Sequence, residues 1–357
     1  MASAACDVLA KVGSQVALSV QEQLLQMFTM KGRRVIVLAG PTGVGKTSLS
    51  LRLAALLDGE IVSADAIQVY KGMDIGTAKV SKEDRDRIPH HLIDVCDITR
   101  PYNVHDFCTE AKAALEDIIS RGRVPIIVGG TGFYIRGLMY GPPSGPPSDA
   151  GVRDRLEAEM DYLGSDVLFN RLQDADPLYA STITRNDRHK IIRGLEIMEL
   201  SGKRVSDFSW KHRRPLPLYD FRCWFIDMPR KMLYDRLAQR CEEMLTAGLL
   251  DEVVALDRSG LRNNRTASQA IGYRQALEFL SSAGTPEDYT TFVTSFKVAS
   301  HHLAKRQVTW FRREPYFRWV DISEIPSDAL LDLIASDYSS AAPLCPDEPP
   351  QWDHGVD

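Results

Sequence analysis

The chain has 357 residues, 44% hydrophobic and 25% charged, a balance that suits a globular protein of two packed units. It has no run of about 18 apolar residues, which excludes a helical membrane span. The formal net charge of −5 argues at first against a nucleic-acid ligand, but nine of the 48 acids and none of the 43 Lys and Arg fall in residues 321–357, so the remainder is mildly basic. The six cysteines (Cys6, Cys96, Cys108, Cys223, Cys241, Cys345) form no C-x-x-C pair and read as reduced, buried thiols.

Residues 1–32 read as an N-terminal extension. They lack Arg and a compact apolar segment, so a secretory signal is not expected. The expected compartment is the cytoplasm, or an organelle if residues 1–30 are a targeting segment. Arg34 to Ala39 is a continuous apolar run, the pattern of a strand buried on both faces. A glycine loop follows, then a helical stretch to Leu57. Strands are expected at Glu60 to Ser63, His91 to Val95 and Val124 to Val128. Phe107, Ala111, Ala114, Leu115 and Ile118 predict a helix over Val104 to Ser120. This alternation implies an α/β fold with a parallel sheet. Proline and glycine between Gly141 and Pro147 break both helix and strand and mark an internal boundary.

Residues 148–215 read as a helical insertion, and Phe221 to Met228 as a strand that rejoins the sheet. Helices are expected over Lys231 to Leu250, Ser268 to Leu280 and Asp288 to Arg313. The core is therefore residues 33–147 together with 216–320. Residues 321–357 are expected to be an acidic, largely disordered tail.

Gly40, Pro41, Thr42, Gly43, Val44, Gly45, Lys46 and Thr47 fit the pattern G-x-x-x-x-G-K-S/T between a buried strand and a helix. Such a loop turns amide N–H groups and the positive helix end toward a phosphate. Lys46 adds a cation, and the Thr47 hydroxyl suits Mg²⁺. The motif implies an oligophosphate ligand without saying whether phosphate is transferred. No first-half strand ends in four apolar residues and an Asp, which weighs against an ordinary kinase; Cys223 to Asp227 comes near, but far along the chain. Gly129, Gly130 and Thr131 end the Val124 strand as a close-approach edge or as a plain tight turn.

Asp65 follows the second strand, on the rim where open parallel sheets bind ligands. Taken alone it suits a general base, a helix cap or a water-mediated Mg²⁺ contact equally. His90 and His91, as strand neighbours, point to opposite faces and do not suit one metal.

From Val35 to Trp319 the sequence resembles the tRNA dimethylallyltransferases (isopentenyltransferases). The resemblance rests on ordered blocks at 40–47, 63–79, 89–94, 128–131, 186–187, 193–196, 201–203, 269–274 and 305–312. It implies a P-loop parallel-sheet core with an inserted helical tRNA-binding domain. It also implies transfer of a dimethylallyl group from dimethylallyl diphosphate to N6 of the adenosine just 3′ of the anticodon, position 37, in a monomeric, Mg²⁺-dependent enzyme with no membrane partner. By this resemblance Asp65 is the base, Thr131 orients it or a phosphate oxygen, and Lys46, the loop and Arg274 hold the diphosphate. The tRNA anticodon stem-loop falls to Asp65, Ala66, Ile67, Gln68, Thr131, Arg153, His189, Lys190, Arg193, Gln269, Gly272, Tyr273 and Arg274. Two departures stand out: Ala66 where the family often has Ser, and a tail with only Cys345 and His354, too few for the zinc finger of cytosolic eukaryotic relatives.

Residues 185–214 carry nine Lys and Arg against four acids, with Phe208 and Trp210 among them. Such a stripe suits stem phosphates, or simply a solvated helix face. Residues 301–318 carry five bases and one acid, where Gln307 and Trp310 serve the substrate or the packing. Two further functions remain open: prenylation of free adenine nucleotides, and nucleotide-dependent RNA binding without catalysis.

Overall fold

A computed structural model describes residues 33–208, 215 and 218–340. The chain divides into one compact unit of residues 1–139 and 216–357 and a second of residues 140–215. In chain order the first unit holds β1 (Arg34–Ala39), α1 (Lys46–Leu57), β2 (Gly59–Ser63), α2 (Lys82–Arg87), β3 (His90–His91), α3 (Val104–Ser120), β4 (Val124–Gly129) and α4 (Gly132–Tyr140, whose last residue falls in the second unit). The second unit holds α5 (Ala150–Leu163), α6 (Ser165–Ala175), α7 (Pro177–Ala180), α8 (Arg188–Ser201) and a 3-10 turn at Val205–Phe208. The first unit resumes with β5 (Asp220–Asp227), α9 (Arg230–Thr246), α10 (Leu249–Arg258), 3-10 turns at Leu261–Asn263 and Ala267–Gln269, α11 (Tyr273–Leu280), α12 (Pro286–Phe311), β6 (Arg318–Asp321) and α13 (Ser327–Ser339).

The six strands form one parallel sheet in the order β3-β2-β4-β1-β5-β6. Every β1 residue is buried, as its unbroken apolar run requires. Even Arg34 is enclosed, with Nε donating to Asp220 at 3.0 Å and a guanidinium N–H to the Tyr338 carbonyl at 2.6 Å. α3 starts at a capping box in which Asn103 and Asp106 satisfy the first amides. Its buried face, including Phe107, Leu115 and Ile118, contributes about 1.5–3 kcal/mol per large side chain. In the register Ala39 lies beside Gly129, and Ser63 beside Val128, which brings the loops after β1, β2 and β4 to one rim. A Cβ on Gly129 would come within 2.2 Å of the Ala64 carbonyl oxygen, so only glycine lets these backbones close up.

Several expectations need correction. The third strand ends after His91, because Leu92 and Asp94 turn to positive φ (64° and 58°). That turn carries Asp94 to Lys79 Nζ at 2.6 Å and to an Arg85 N–H at 2.7 Å. Lys231 to Leu250 is not one helix: Gly248, at φ 97°, separates α9 from α10. Residues 321–340 are not loose. α13 buries Leu330, Leu331 and Ile334, and its Asp337 accepts from Arg222, Arg318 and the Trp224 indole. Buried partners of opposite charge fix a segment whose acidic composition alone suggests disorder. Residues 1–32 and 341–357, and Trp210 and His212 of the basic stripe, lie outside the described residues.

The second unit begins at Tyr140 rather than 148. Buried Glu196 on α8 draws in the preceding loop, accepting from the Ser148 hydroxyl at 2.6 Å and the Asp149 amide at 2.7 Å. The core of this unit is Leu156, Leu168, Leu172, Ile191 and their neighbours.

Candidate active site

The loop from Gly40 to Thr47 leads into α1, whose N-cap, Gly45, has φ 103° and no side-chain cap. The first amides of the helix are thus left for an anion. Lys46 Nζ donates to the Gly40 and Pro41 carbonyls, each at 2.8 Å. Burial, then the nearby Arg240 guanidinium, push its pKa down to about 7, partly opposed by Asp65. Val44 is fully buried and serves the core rather than a ligand. Gln307 of α12 reaches across: its Oε1 accepts from the Thr42 amide at 2.8 Å, and its Nε2 donates to the Gly130 carbonyl at 3.1 Å.

Asp65 sits just past β2. Its Oδ1 accepts from the Ile67 and Gln68 amides at 2.8 and 3.2 Å, leaving Oδ2 without a hydrogen bond among the described residues. The capping and catalytic readings of Asp65 are therefore compatible: one oxygen fixes the turn and the other is free to take a proton. Among the described residues Thr131 makes no hydrogen bond to this carboxylate. Its hydroxyl accepts from the Ala66 amide at 3.1 Å, and so locates Asp65 through the backbone. Gln68 takes the Ser63 hydroxyl at 3.1 Å and donates to the Thr77 carbonyl at 3.3 Å.

Two adjoining cavities meet here. One, about 870 Å³, is lined by Lys46, Thr47, Arg236, Gln239 and Arg240 among others. The other, about 310 Å³, is lined by Leu237, Met244, Ile271, Phe296 and Leu303 with Thr131 and Cys241. Thr42, Asp65, Thr77, Gly130, Arg240 and Gln307 line both. Asp65 thus stands at the junction of a cationic chamber and an apolar one.

Sequence reasoning missed Arg236 and Arg240, which lie one turn apart on α9. Arg240 is partly buried, and burial lowers its pKa, yet among the described residues no acceptor pairs with it. An enclosed guanidinium that makes no hydrogen bond and has chiefly the charge of Asp65 to offset it points to an anionic ligand. The only signal in the sequence was their i, i+4 spacing, which equally describes a solvated face. Glu252 of α10 was also missed. Its carboxylate accepts from the Asp74, Ile75 and Gly76 amides and from the Tyr273 hydroxyl at 2.5 Å, which holds the loop carrying Thr77.

The other expected site residues fare differently. Ala66, Ile67 and Tyr273 line the apolar cavity. Tyr273 is fully buried, with its ring against Gly76. Gly272 gives its amide to Gln275 at 2.9 Å, and Gln269 is exposed. Arg274, expected at the diphosphate, lines neither cavity; it is half exposed, 3.8 Å from Glu278 on its own helix. It starts α11 next to buried Tyr273, and the side chain leads to the solvated face.

In the second unit His189 and Lys190 are exposed, with Lys190 2.6 Å from Asp187. Arg193, expected to contact tRNA, instead donates to Glu196 at 2.8 Å and to the Pro146 carbonyl at 2.5 Å, while Arg153 lies 3.6 Å from Glu196. Burial alone would raise the Glu196 pKa, but hydrogen bonds from Ser148, Arg193 and the Asp149 amide hold it below its ordinary value. The buried carboxylate therefore claims these two arginines. His90 and His91 face different partners, the Ile88 carbonyl at 2.7 Å and Glu60 at 2.8 Å.

Residues 68–314 match the family described as IPP transferase. A tRNA dimethylallyltransferase of Protochlamydia amoebophila is 52% identical over 332 residues, covering 93% of this chain and 96% of that protein. The solved tRNA isopentenylpyrophosphate transferase of Bacillus halodurans is similar at 35% identity and TM-score 0.63, over 87% of this chain and 98% of that one. A solved eukaryotic dimethylallyltransferase acting on tRNA is similar at 30% identity and TM-score 0.66, over 82% and 75% of the two chains.

Proposed function

The chain belongs to the IPP transferase family, and on that premise we propose that it moves the dimethylallyl group of dimethylallyl diphosphate onto N6 of adenosine 37 in tRNA. The observation that carries this reading is Asp65 at the junction of the two cavities. The cationic chamber suits a diphosphate and the apolar one a five-carbon allylic chain, so the scissile C–O bond would lie beside the carboxylate.

The residues then divide the work. The loop amides, Lys46, Arg236 and Arg240 receive charge as the diphosphate departs. The adenine N6 lone pair is delocalised into its ring, so it attacks poorly unaided. As the C1–N6 bond forms and the C1–O bond breaks, Asp65 Oδ2 takes the N6 proton and diphosphate leaves. Gln307 and Thr131 act through the backbone, Gln307 holding the loop and Thr131 the Asp65 turn. Phe296, Leu237 and Met244 keep water from the allylic carbon.

A divalent cation fits the cradle. Thr47 is exposed and lines the cationic cavity beside Lys46. Mg²⁺ would be held by Thr47 and diphosphate oxygens and, when bound, supplies charge that neutralises the leaving group. Arg274 takes no part in diphosphate binding on this reading.

A flipped-out adenosine is needed to reach Asp65, so the RNA must be gripped by its stem phosphates. Of the contacts expected in the second unit, His189 and Lys190 are exposed and available for that grip. The bacterial source of its relatives supports a reaction in the cytoplasm. No described helix is long and apolar enough to cross a membrane.

Labelled dimethylallyl diphosphate with Mg²⁺ and either an anticodon stem-loop or AMP tests the proposal. Label in the stem-loop alone supports it, label in AMP points to free-nucleotide prenylation, and label in neither removes transfer altogether.

A further inference from the structure

Glu252 of α10 lines neither cavity, yet its carboxylate is fully engaged beside them. Oε2 accepts from the Asp74 and Ile75 amides at 3.0 and 2.7 Å, and Oε1 from the Gly76 amide at 3.2 Å and the Tyr273 hydroxyl at 2.5 Å. Three consecutive N–H groups converging on one anion form a nest, and the tyrosine adds a fourth donor. A carboxylate offers about four acceptor positions, so this one is saturated within the protein and serves its geometry.

The network continues to Asp65. Thr77, next to Gly76, lines both cavities, and its carbonyl accepts from Gln68 Nε2 at 3.3 Å. The Gln68 amide in turn donates to Asp65 Oδ1 at 3.2 Å. Hydrogen bonds and one peptide link therefore join the Tyr273 hydroxyl to the Asp65 carboxylate. At the far end of the same loop Lys79 Nζ donates to the Tyr70 carbonyl at 2.6 Å and to Asp74 at 2.8 Å. Tyr273 is fully buried, and its ring leaves no room for a Cβ at Gly76, which would lie 2.5 Å from Cε2. Burial, then the adjacent Glu252 charge, raise the Tyr273 pKa, so the hydroxyl stays protonated and donates.

We propose that Glu252 and Tyr273 are positioning residues for proton transfer: they fix the loop at 74–77, and that loop, through Gln68, sets the direction of Asp65 Oδ2. The inference rests on the reading of Asp65 as the base and adds the hydrogen-bonded clamp that aims it. Thr131 holds the Ala66 end of the turn, and the clamp holds the Gln68 end. A base secured at one end only swings, and a displacement of about 1 Å costs up to about 10²-fold in rate.

The test is single-turnover transfer to the stem-loop, with both substrates saturating, by wild type, Tyr273→Phe, Glu252→Gln, Asp65→Asn and the double variant Tyr273→Phe with Asp65→Asn. Tyr273→Phe keeps the ring against Gly76 and removes only the hydroxyl. It should slow transfer about five- to a hundredfold, with stem-loop affinity and KM for dimethylallyl diphosphate held within about twofold. Glu252→Gln should be slowed by a similar factor; should it fail to fold, Tyr273→Phe decides alone. Because the clamp acts through Asp65, the losses should not multiply, and the double variant should match Asp65→Asn within about twofold. Losses that multiply, or a Tyr273→Phe rate equal to wild type, would overturn the positioning role alone. An Asp65→Asn variant as fast as wild type would overturn the functional reading beneath it.

Discussion

Gln307 and Thr42 are 265 residues apart in sequence, yet the glutamine Oε1 accepts the threonine amide at 2.8 Å. With its Nε2 on the Gly130 carbonyl at 3.1 Å, one side chain ties the phosphate loop to the edge of β4. Gln307→Leu leaves both backbone groups without these bonds, worth about 1–3 kcal/mol. We expect kcat/KM for dimethylallyl diphosphate to fall about ten- to a hundredfold, with stem-loop affinity unchanged. Steady-state kinetics varied in each substrate separate the two effects.

Lys46 provides a pH-dependent signature. Its folded pKa lies near 7, below the ordinary value, because burial and Arg240 disfavour the charged form. Around pH 8 the free protein therefore holds it mostly neutral, and a bound diphosphate draws a proton back. Calorimetry in buffers of different ionisation enthalpy should show proton uptake on diphosphate binding at pH 8 that vanishes near pH 6. Lys46→Met should lose that component, leaving only the ligand's own protonation. Uptake that is the same in wild type and Lys46→Met would contradict the assignment.

The second unit separates structural from ligand-facing cations. Arg193→Ala strips a partner from buried Glu196 and should cost about 3 kcal/mol in urea unfolding, a loss reduced in the double variant with Glu196→Gln. The sign with pH follows from the lowered Glu196 pKa: its contribution is present above the ordinary carboxylate range and is lost as pH falls through the folded value. Lys190→Ala and His189→Ala should leave stability alone. Lys190→Ala should weaken RNA binding and reduce the slope of log affinity against log salt by about one.

What could be read from the sequence follows from what is local. β1 and α3 carry their signatures in consecutive residues, an unbroken apolar run and a 3.6-residue period closed by an Asn103 cap. The phosphate loop likewise needs only eight adjacent residues and their neighbours. Asp65 was visible because the end of a parallel strand is a binding rim in any such sheet. α13 was not, since its acids mask Leu330 and Ile334, and the partners of Asp337 lie on β5 and β6. Arg240 was missed and Arg193 was given a role on RNA that buried Glu196 takes instead, for the same reason. Burial of a cation, and whether a carboxylate meets it, are properties of packing that a charge count along one helix does not contain.

Transfer on this reading depends on the Asp65 carboxylate, and Asp65→Asn isolates it. The asparagine oxygen can still accept the Ile67 and Gln68 amides that Oδ1 holds at 2.8 and 3.2 Å, so the turn survives while the base is gone. Under single-turnover conditions with both substrates saturating, prenylation of the stem-loop should slow by about 10²–10⁴-fold, with stem-loop and diphosphate affinities held within about threefold. A variant that transfers the dimethylallyl group at the wild-type rate would contradict it.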